Sequence, residues 1–187
     1  MNIIVKPHGS DLCYCRPDTT WERESRDLYS PDCVNVWNWA PVIFARISKA
    51  GKCISPKFAS RYYDSLNFGA LLYIGGTDVA SGSCADHTSI LPLPLFNPTV
   101  MENEGNEVKM YKDDELIYSL TTPGDNSLIT TVEDAICKAS GLTSLRIGDF
   151  VAIELAPVSM LTDKTEGNIS LKASFCENDI YKLIIYV

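Results

Sequence analysis

Short runs of β-forming residues, each closed within a few positions by Pro or Gly, recur along the chain and constrain its fold most strongly. Residues 33–39 and 42–47 are rich in Val, Ile, Trp and Phe, and an Ala-Gly-Lys turn follows at residues 50–52. Runs of this length between turn residues are typical of strands. Residues 91–98 carry three prolines, which excludes a central strand there.

The remaining segments predict two helices among further strands. Ser55 precedes Pro56 and can cap a helix over residues 56–63, because Ser favours the N-cap and Pro the first helical position. A second helix is predicted to begin at Thr131, with Asp134 completing a capping box and Gly141 ending it. A hairpin is predicted over residues 106–118, and strands are predicted at residues 2–5, 12–15, 69–74, 150–155, 168–176 and 180–187.

This order of elements predicts a mainly β chain of the α+β class with two or three short helices. We expect one domain over residues 1–187, because neither a linker nor an internal repeat interrupts the sequence. Many short strands favour a rolled or barrel-like sheet. A sheet of this kind does not by itself indicate which reaction a protein catalyses.

Charge and hydropathy exclude two classes of partner. The chain has 24 acidic and 16 basic residues, a net charge of −8, and no basic run. A nucleic-acid surface needs clustered Lys and Arg, so none is expected. No stretch approaches the roughly 20 apolar residues that span a bilayer, so no membrane partner is expected.

The seven cysteines are expected to be reduced thiols. Their number is odd, and the first residues do not form a signal peptide, so a cytoplasmic location is predicted. Cys13 and Cys15 can place two thiols on one strand face, but the Cys-x₂-Cys spacing of zinc ribbons is absent from the sequence. A structural role is therefore favoured over a metal site.

One segment combines residues of catalytic type. Residues 84–88 read Cys-Ala-Asp-His-Thr. A Cys–His pair can activate a nucleophile, and histidine changes charge near neutral pH. Cys84, Asp86 and His87 are therefore weak catalytic candidates, and an ordinary polar loop is the simpler interpretation.

A set of motifs in a fixed order suggests a family. Residues 16–19 (Arg-Pro-Asp-Thr) are similar to a Lys-Pro-Asp-(Ser/Thr) motif, and residues 30–32 (Ser-Pro-Asp) to a loop before a metal-binding strand. Further matches are the apolar strand and Gly-Lys turn at residues 44–52 and the helix at residues 56–64, which Gly69 follows. The helix at residues 131–136 precedes a Leu-x-x-Gly-Asp turn at residues 145–149. Pro157, Gly167 and the final strand at residues 182–187 match the end of the family's domain. From about residue 12 to its end, the chain resembles short members of the fumarylacetoacetate hydrolase family.

The resemblance implies a rolled β-barrel that usually dimerises and acts on small oxo-acids. The reactions it implies are carbon–carbon bond hydrolysis, decarboxylation and tautomerisation. It also implies Mg²⁺ or a similar ion, held by a Glu-x-Glu pair on one strand and an Asp on a later one. Residues two apart on a strand face the same side, so such a pair can share one ion.

By register, the three metal-binding positions of the family fall on Ala40, Val42 and Leu71, which are all aliphatic. Ser83 stands where the family has its active-site lysine, and His8 lacks the Asn-Tyr-x-x-His context of the family's general base. We therefore expect neither the family's Mg²⁺ site nor any other cofactor.

Eight residues are expected to border what remains of the family's cleft, namely Arg16, Asp18, Asp32, Trp39, Ala40, Val42, Leu71 and Ser83. Trp37 and Trp39 are expected to fill a core or a dimer interface rather than to stack on a ligand. The favoured hypothesis is a non-catalytic relative, a pseudoenzyme with a binding or assembly role, forming a homodimer or pairing with an active paralogue.

Two enzymatic hypotheses stay open beside it. One is a divergent hydrolase, decarboxylase or isomerase of small oxo-acids, acting through a relocated site built from Asp18, Asp32, Asp86 and His87. The other is a metal-free enzyme that uses Cys84 and His87.

Overall fold

The computed structural model describes residues 1–101 and 103–187, except the side chain of Ala80. The strands are β1 (Ile3–Lys6), β2 (Tyr14–Arg16), β3 (Trp21–Glu22), β4 (Leu28–Tyr29), β5 (Val36–Ile47), β6 (Tyr63–Ile74), β7 (Ser89–Ile90), β8 (Glu107–Lys112), β9 (Glu115–Thr121), β10 (Phe150–Glu154), β11 (Ser159–Asp163), β12 (Ile169–Phe175) and β13 (Asn178–Tyr186). The helices are α1 (Val79–Gly82) and α2 (Ser127–Leu142), with 3₁₀ turns at Asp18–Thr20, Pro56–Arg61 and Pro98–Met101. The predicted mainly β, α+β class is confirmed.

Two sheets make up the molecule. The larger one has the strand order β2-β1-β10-β5-β6-β7-β3, with β11 added beside β5, and it curls into a half-barrel. Its edge strands β2 and β3 are joined by a 3₁₀ turn at Asp18–Thr20, so the chain passes directly from one edge of the curl to the other. The smaller sheet has the order β4-β13-β12-β8-β9.

The larger sheet buries both of its faces. Because side chains alternate along a strand, β5 contributes Ile43 and Ala45 to one core and Val42 and Phe44 to another. The first core lies between the two sheets and includes the buried face of α2. The second core, which we call the inner core, lies inside the curl.

β5 is one continuous strand where the sequence predicted two. Pro41 lies within it, at the point where the neighbouring strand changes from β11, paired at Trp39, to β10, paired at Val42. A proline lacks the amide that a strand ladder needs, but its carbonyl still accepts a hydrogen bond, here from the Leu155 amide at 2.8 Å. The strand therefore continues through Pro41.

The helices also differ in detail from the prediction. α2 begins at Ser127 rather than Thr131, after Asn126 in the left-handed conformation with φ of 61°. Asp125 accepts a hydrogen bond from the Ser127 amide at 3.0 Å, which supports this earlier start. The segment predicted as a helix at residues 56–63 is a 3₁₀ turn at Pro56–Arg61.

The seven cysteines form no disulfide among the described residues. Five of them are exposed, and Cys13 and Cys137 are partly buried. In the same part of the chain, no helix has the length and apolar character needed to cross a membrane.

Candidate functional site

The three aliphatic positions singled out in the sequence meet inside the curl. Ala40 on β5 lies opposite Leu71 on β6, and Val42 lies opposite Gly69. The side chains of Ala40, Val42 and Leu71 are completely buried and belong to the inner core. The register inferred from sequence therefore placed these three residues together on one face of the sheet.

Other apolar side chains fill the space around them. The Phe150 ring packs edge-on against Phe44 at 5.5 Å and against Trp21 at 5.2 Å between ring centres. Leu91, Ala152, Ile3 and Val5 complete the inner core. Ala40, Val42 and Leu71 do not line five open cavities of about 200 to 540 Å³ that lie on the described part of the chain.

A polar cluster borders the inner core. Glu154, which lies opposite Val42, accepts hydrogen bonds from the Tyr73 hydroxyl and, at 2.9 Å, from the His8 amide. The Tyr73 and Tyr14 hydroxyls are hydrogen bonded at 2.8 Å. Burial raises the pKa of Tyr14 to about 12 and also raises the pKa of Tyr73. Both oxygens of this buried carboxylate are therefore occupied by groups of the protein itself.

Arg16 joins the two sides of the curl. Its guanidinium donates hydrogen bonds to the carbonyls of Leu72 at 2.7 Å and Ser83 at 2.9 Å, and to the Thr88 hydroxyl at 2.9 Å. It also lies over the Tyr73 ring at 5.0 Å. The side chain is 1% exposed, burial lowers its pKa, and its Nη1 has no partner among the described residues.

These residues do not fit the divalent cation that the resemblance implies. Such a cation needs several anionic oxygens, and the three expected positions offer only aliphatic carbon. Glu154 lies on the neighbouring strand, but it is a single carboxylate that already accepts hydrogen bonds from the Tyr73 hydroxyl and the His8 amide, and it alone does not supply the several oxygen ligands that such an ion needs. Among residues 1–101 and 103–187, no group of three His, Cys, Asp or Glu side chains is arranged to hold a metal ion.

Two of the residues expected at the cleft, Trp39 and Asp32, lie elsewhere, and a third, Asp18, is exposed. Trp39 points to the opposite face of β5, where it and Trp37 are buried in the first core, as the core-filling interpretation predicted. Asp18 is exposed in a 3₁₀ turn. Asp32 is exposed beside Lys164, which donates to its carbonyl at 2.6 Å, and it lines a separate cavity of about 360 Å³.

Ser83, by contrast, is buried close to the inner core. Its carbonyl accepts a hydrogen bond from the Arg16 guanidinium. Tyr73 and Glu154, two residues of the polar cluster, were not identified from the sequence. They are 81 positions apart, and only the register of β5 with β6 and β10 brings them together.

His87 is paired with a residue that the sequence did not suggest. Its ring nitrogen Nδ1 lies 3.0 Å from a carboxylate oxygen of Glu22, which is 65 positions away. Glu22 is buried, whereas His87 is about half exposed. Asp86 and Cys84 are exposed in the same loop. The pairing results from the short parallel contact between β3 and β7, two strands too brief to be recognised in the sequence.

Comparison with known proteins gives a fold but no sequence match. No family model and no curated protein sequence matches the chain. A fumarylpyruvate hydrolase from Pseudomonas aeruginosa, solved with Mn²⁺ and pyruvate, is similar over 100% of this chain and 95% of its own, with 14% identity and a TM-score of 0.72. A proposed fumarylacetoacetate hydrolase family protein from Yersinia pestis CO92 is similar over 98% of this chain and 91% of its own length, with 12% identity and a TM-score of 0.74.

A third similar structure is a 5-carboxymethyl-2-hydroxymuconate delta-isomerase from Mycobacterium smegmatis. It shares 11% identity, with 99% of this chain and 78% of that protein covered and a TM-score of 0.76. The chain therefore has the fold of the fumarylacetoacetate hydrolase domain, as the sequence motifs predicted.

Proposed function

We propose that this chain is a non-catalytic member of the fumarylacetoacetate hydrolase family, with a binding or assembly role. The observation that carries the proposal is the filled inner core, in which Ala40, Val42 and Leu71 are completely buried. An apolar site cannot hold a divalent ion, because removing the ion from water without anionic partners is too costly.

Two further observations support the loss of the family's chemistry. Ser83, at the position of the family's lysine, is buried and has no amine to offer a substrate. Glu154 has both carboxylate oxygens occupied by Tyr73 and the His8 amide. A protein that keeps this fold without the family's catalytic groups is expected to function by binding a ligand or a partner.

The partner we propose is a second copy of the chain or an active paralogue. β9 is an edge strand of the smaller sheet, and Leu116 on it is 49% exposed. An edge strand offers unpaired backbone groups to another chain. This strand is therefore one surface on which such an assembly can form.

The alternative is a divergent hydrolase, decarboxylase or isomerase of small oxo-acids. One observation favours it, namely the oriented Glu22–His87 pair at the edge of a cavity. A relocated site that uses all four of Asp18, Asp32, Asp86 and His87 is not favoured, because Asp32 lines a different cavity from Asp86 and His87.

Metal titration and turnover assays separate the two functions. Metal-free protein is titrated with Mn²⁺ by calorimetry and assayed with an acylpyruvate and with oxaloacetate. We expect no saturable Mn²⁺ binding and no turnover above buffer. Mn²⁺-dependent turnover that is lost in D86N but kept in the turn variant D114N would support the relocated site and overturn the proposal.

A further inference from the structure

The Glu22–His87 pair fixes the chemical character of the exposed imidazole. One oxygen of Glu22 accepts hydrogen bonds from the amides of Glu24 at 2.7 Å and Arg26 at 3.3 Å, and the other faces His87 Nδ1 at 3.0 Å. An ionised carboxylate only accepts, so Nδ1 carries the proton of this bond. In the neutral imidazole, Nε2 is then a hydrogen-bond acceptor that is available to a ligand.

A cavity with apolar walls lies beside this ring. It has a volume of about 370 Å³, and its lining combines apolar groups of Leu28, Tyr29, Pro31, Trp37 and Ala85 with Arg26, Asp27, Asp86 and His87. The Trp37 indole donates to the Ser30 hydroxyl at 3.0 Å, so its orientation is fixed. Sites for small molecules typically combine such apolar walls with a few oriented polar groups.

The charges around the cavity favour a cation. Both arginines near His87 are bonded to Glu24, Arg23 at 3.3 Å and Arg26 at 2.5 Å. Asp86, which lines the cavity and is exposed, has no ion-pair partner among the described residues. Glu24 supplies one negative charge to two arginines, of which Arg26 lines the cavity. Glu22, Asp27 and Asp86 add three further carboxylates, so these four acidic and two basic groups carry a formal net charge of −2.

We propose that His87, oriented by Glu22, binds a small organic ammonium ion with an apolar body. The ammonium group donates a hydrogen bond to His87 Nε2 and lies near the Asp86 carboxylate, while the apolar part contacts the exposed Tyr29 ring and Pro31. This site is separate from the inner core. The inference therefore holds whether or not the inner core binds a metal.

Titration with 2-phenylethylamine tests the site in the full chain. The chain has only two histidines, His8 and His87, so their ring signals in nuclear magnetic resonance spectra can be assigned by substitution. EDTA is present throughout, so that a metal-binding inner core cannot affect the result. We expect the amine to shift the His87 ring signals and leave those of His8 unchanged.

Matched ligands and variants decide between the possible outcomes. The amine should bind about tenfold more tightly than 2-phenylethanol or phenylacetate, as expected for one charge-assisted hydrogen bond. H87Q should lose this preference and D86N should reduce it, while H8Q, at the other exposed histidine, should keep it. Thermal unfolding of each variant checks that it is folded. Absence of amine binding, equal binding of the alcohol, or an unchanged preference in H87Q would overturn the proposal.

Discussion

Ala40 and Leu71 lie directly opposite each other on β5 and β6, and neither side chain has any contact with solvent. The resemblance to a metal-dependent family places anionic ligands at these positions. The structure shows two carbon side chains within a closed apolar core.

Removing the Leu71 side chain should leave a cavity in the inner core. We expect L71A to lower the free energy of unfolding by about 2–5 kcal/mol, as for other buried leucines. L12A, at a leucine that is 70% exposed and lies away from β9, should change it by less than about 0.5 kcal/mol. Urea unfolding measures both variants. Equal effects would show that Leu71 is not tightly packed.

Restoring a carboxylate at Ala40 should be strongly destabilising. A40E would bury an unpaired charge among Val42, Leu71 and Phe44, so we expect a loss of at least about 3 kcal/mol. L12E, at a leucine that is 70% exposed, is the control and should remain close to wild type. If A40E unfolds at the wild-type urea concentration, the inner core can accommodate a charge and the account is wrong.

The Tyr14 hydroxyl should make stability depend on alkaline pH. Burial raises its pKa from 10.0 to about 12, so the folded protein holds this proton more tightly than the unfolded chain. The resulting stability is complete below about pH 10 and is lost as pH rises from about 10 towards 12. The free energy of unfolding, measured with urea across this pH range, should fall less steeply in Y14F than in the wild type. Y29F, at an exposed tyrosine, should behave as the wild type. Identical slopes in Y14F and Y29F would contradict the prediction.

Arg16 should hold the curl closed. R16M leaves the buried carbonyls of Leu72 and Ser83 without their donor, and we expect it to cost about 2–4 kcal/mol. Hydrogen exchange of the β2 amides should also become faster. R46M, which removes an exposed ion pair with Asp64, should cost less than about 1 kcal/mol. If R16M lowers the free energy of unfolding less than R46M does, Arg16 does not hold the curl closed.

Local sequence patterns predicted the elements that have strong local signals. The hairpin of β8 and β9 and the terminal strands β12 and β13 were found, because runs of strand formers and turn residues define them. The short strands β3, β4 and β7 have two residues each and carry no such pattern. α2 begins earlier than Thr131, after Asn126 in the left-handed conformation and with Asp125 accepting a hydrogen bond from the Ser127 amide.

The candidate site was only partly predictable for a related reason. Ala40, Val42 and Leu71 could be aligned because each lies on a long strand whose register the neighbouring motifs define. Glu154 with Tyr73, and Glu22 with His87, are pairs that form between distant segments, and neither has a sequence motif. Trp39 was expected to border the cleft because it lies on the strand that carries Ala40 and Val42, but alternation along β5 turns it to the other face.

The most direct test of the central claim is a crystal of the protein soaked in Mn²⁺ and examined by anomalous diffraction. We expect no ordered ion among Ala40, Val42 and Leu71, whose side chains should stay packed in the inner core. An anomalous peak at that position, coordinated by groups of this chain, would contradict it.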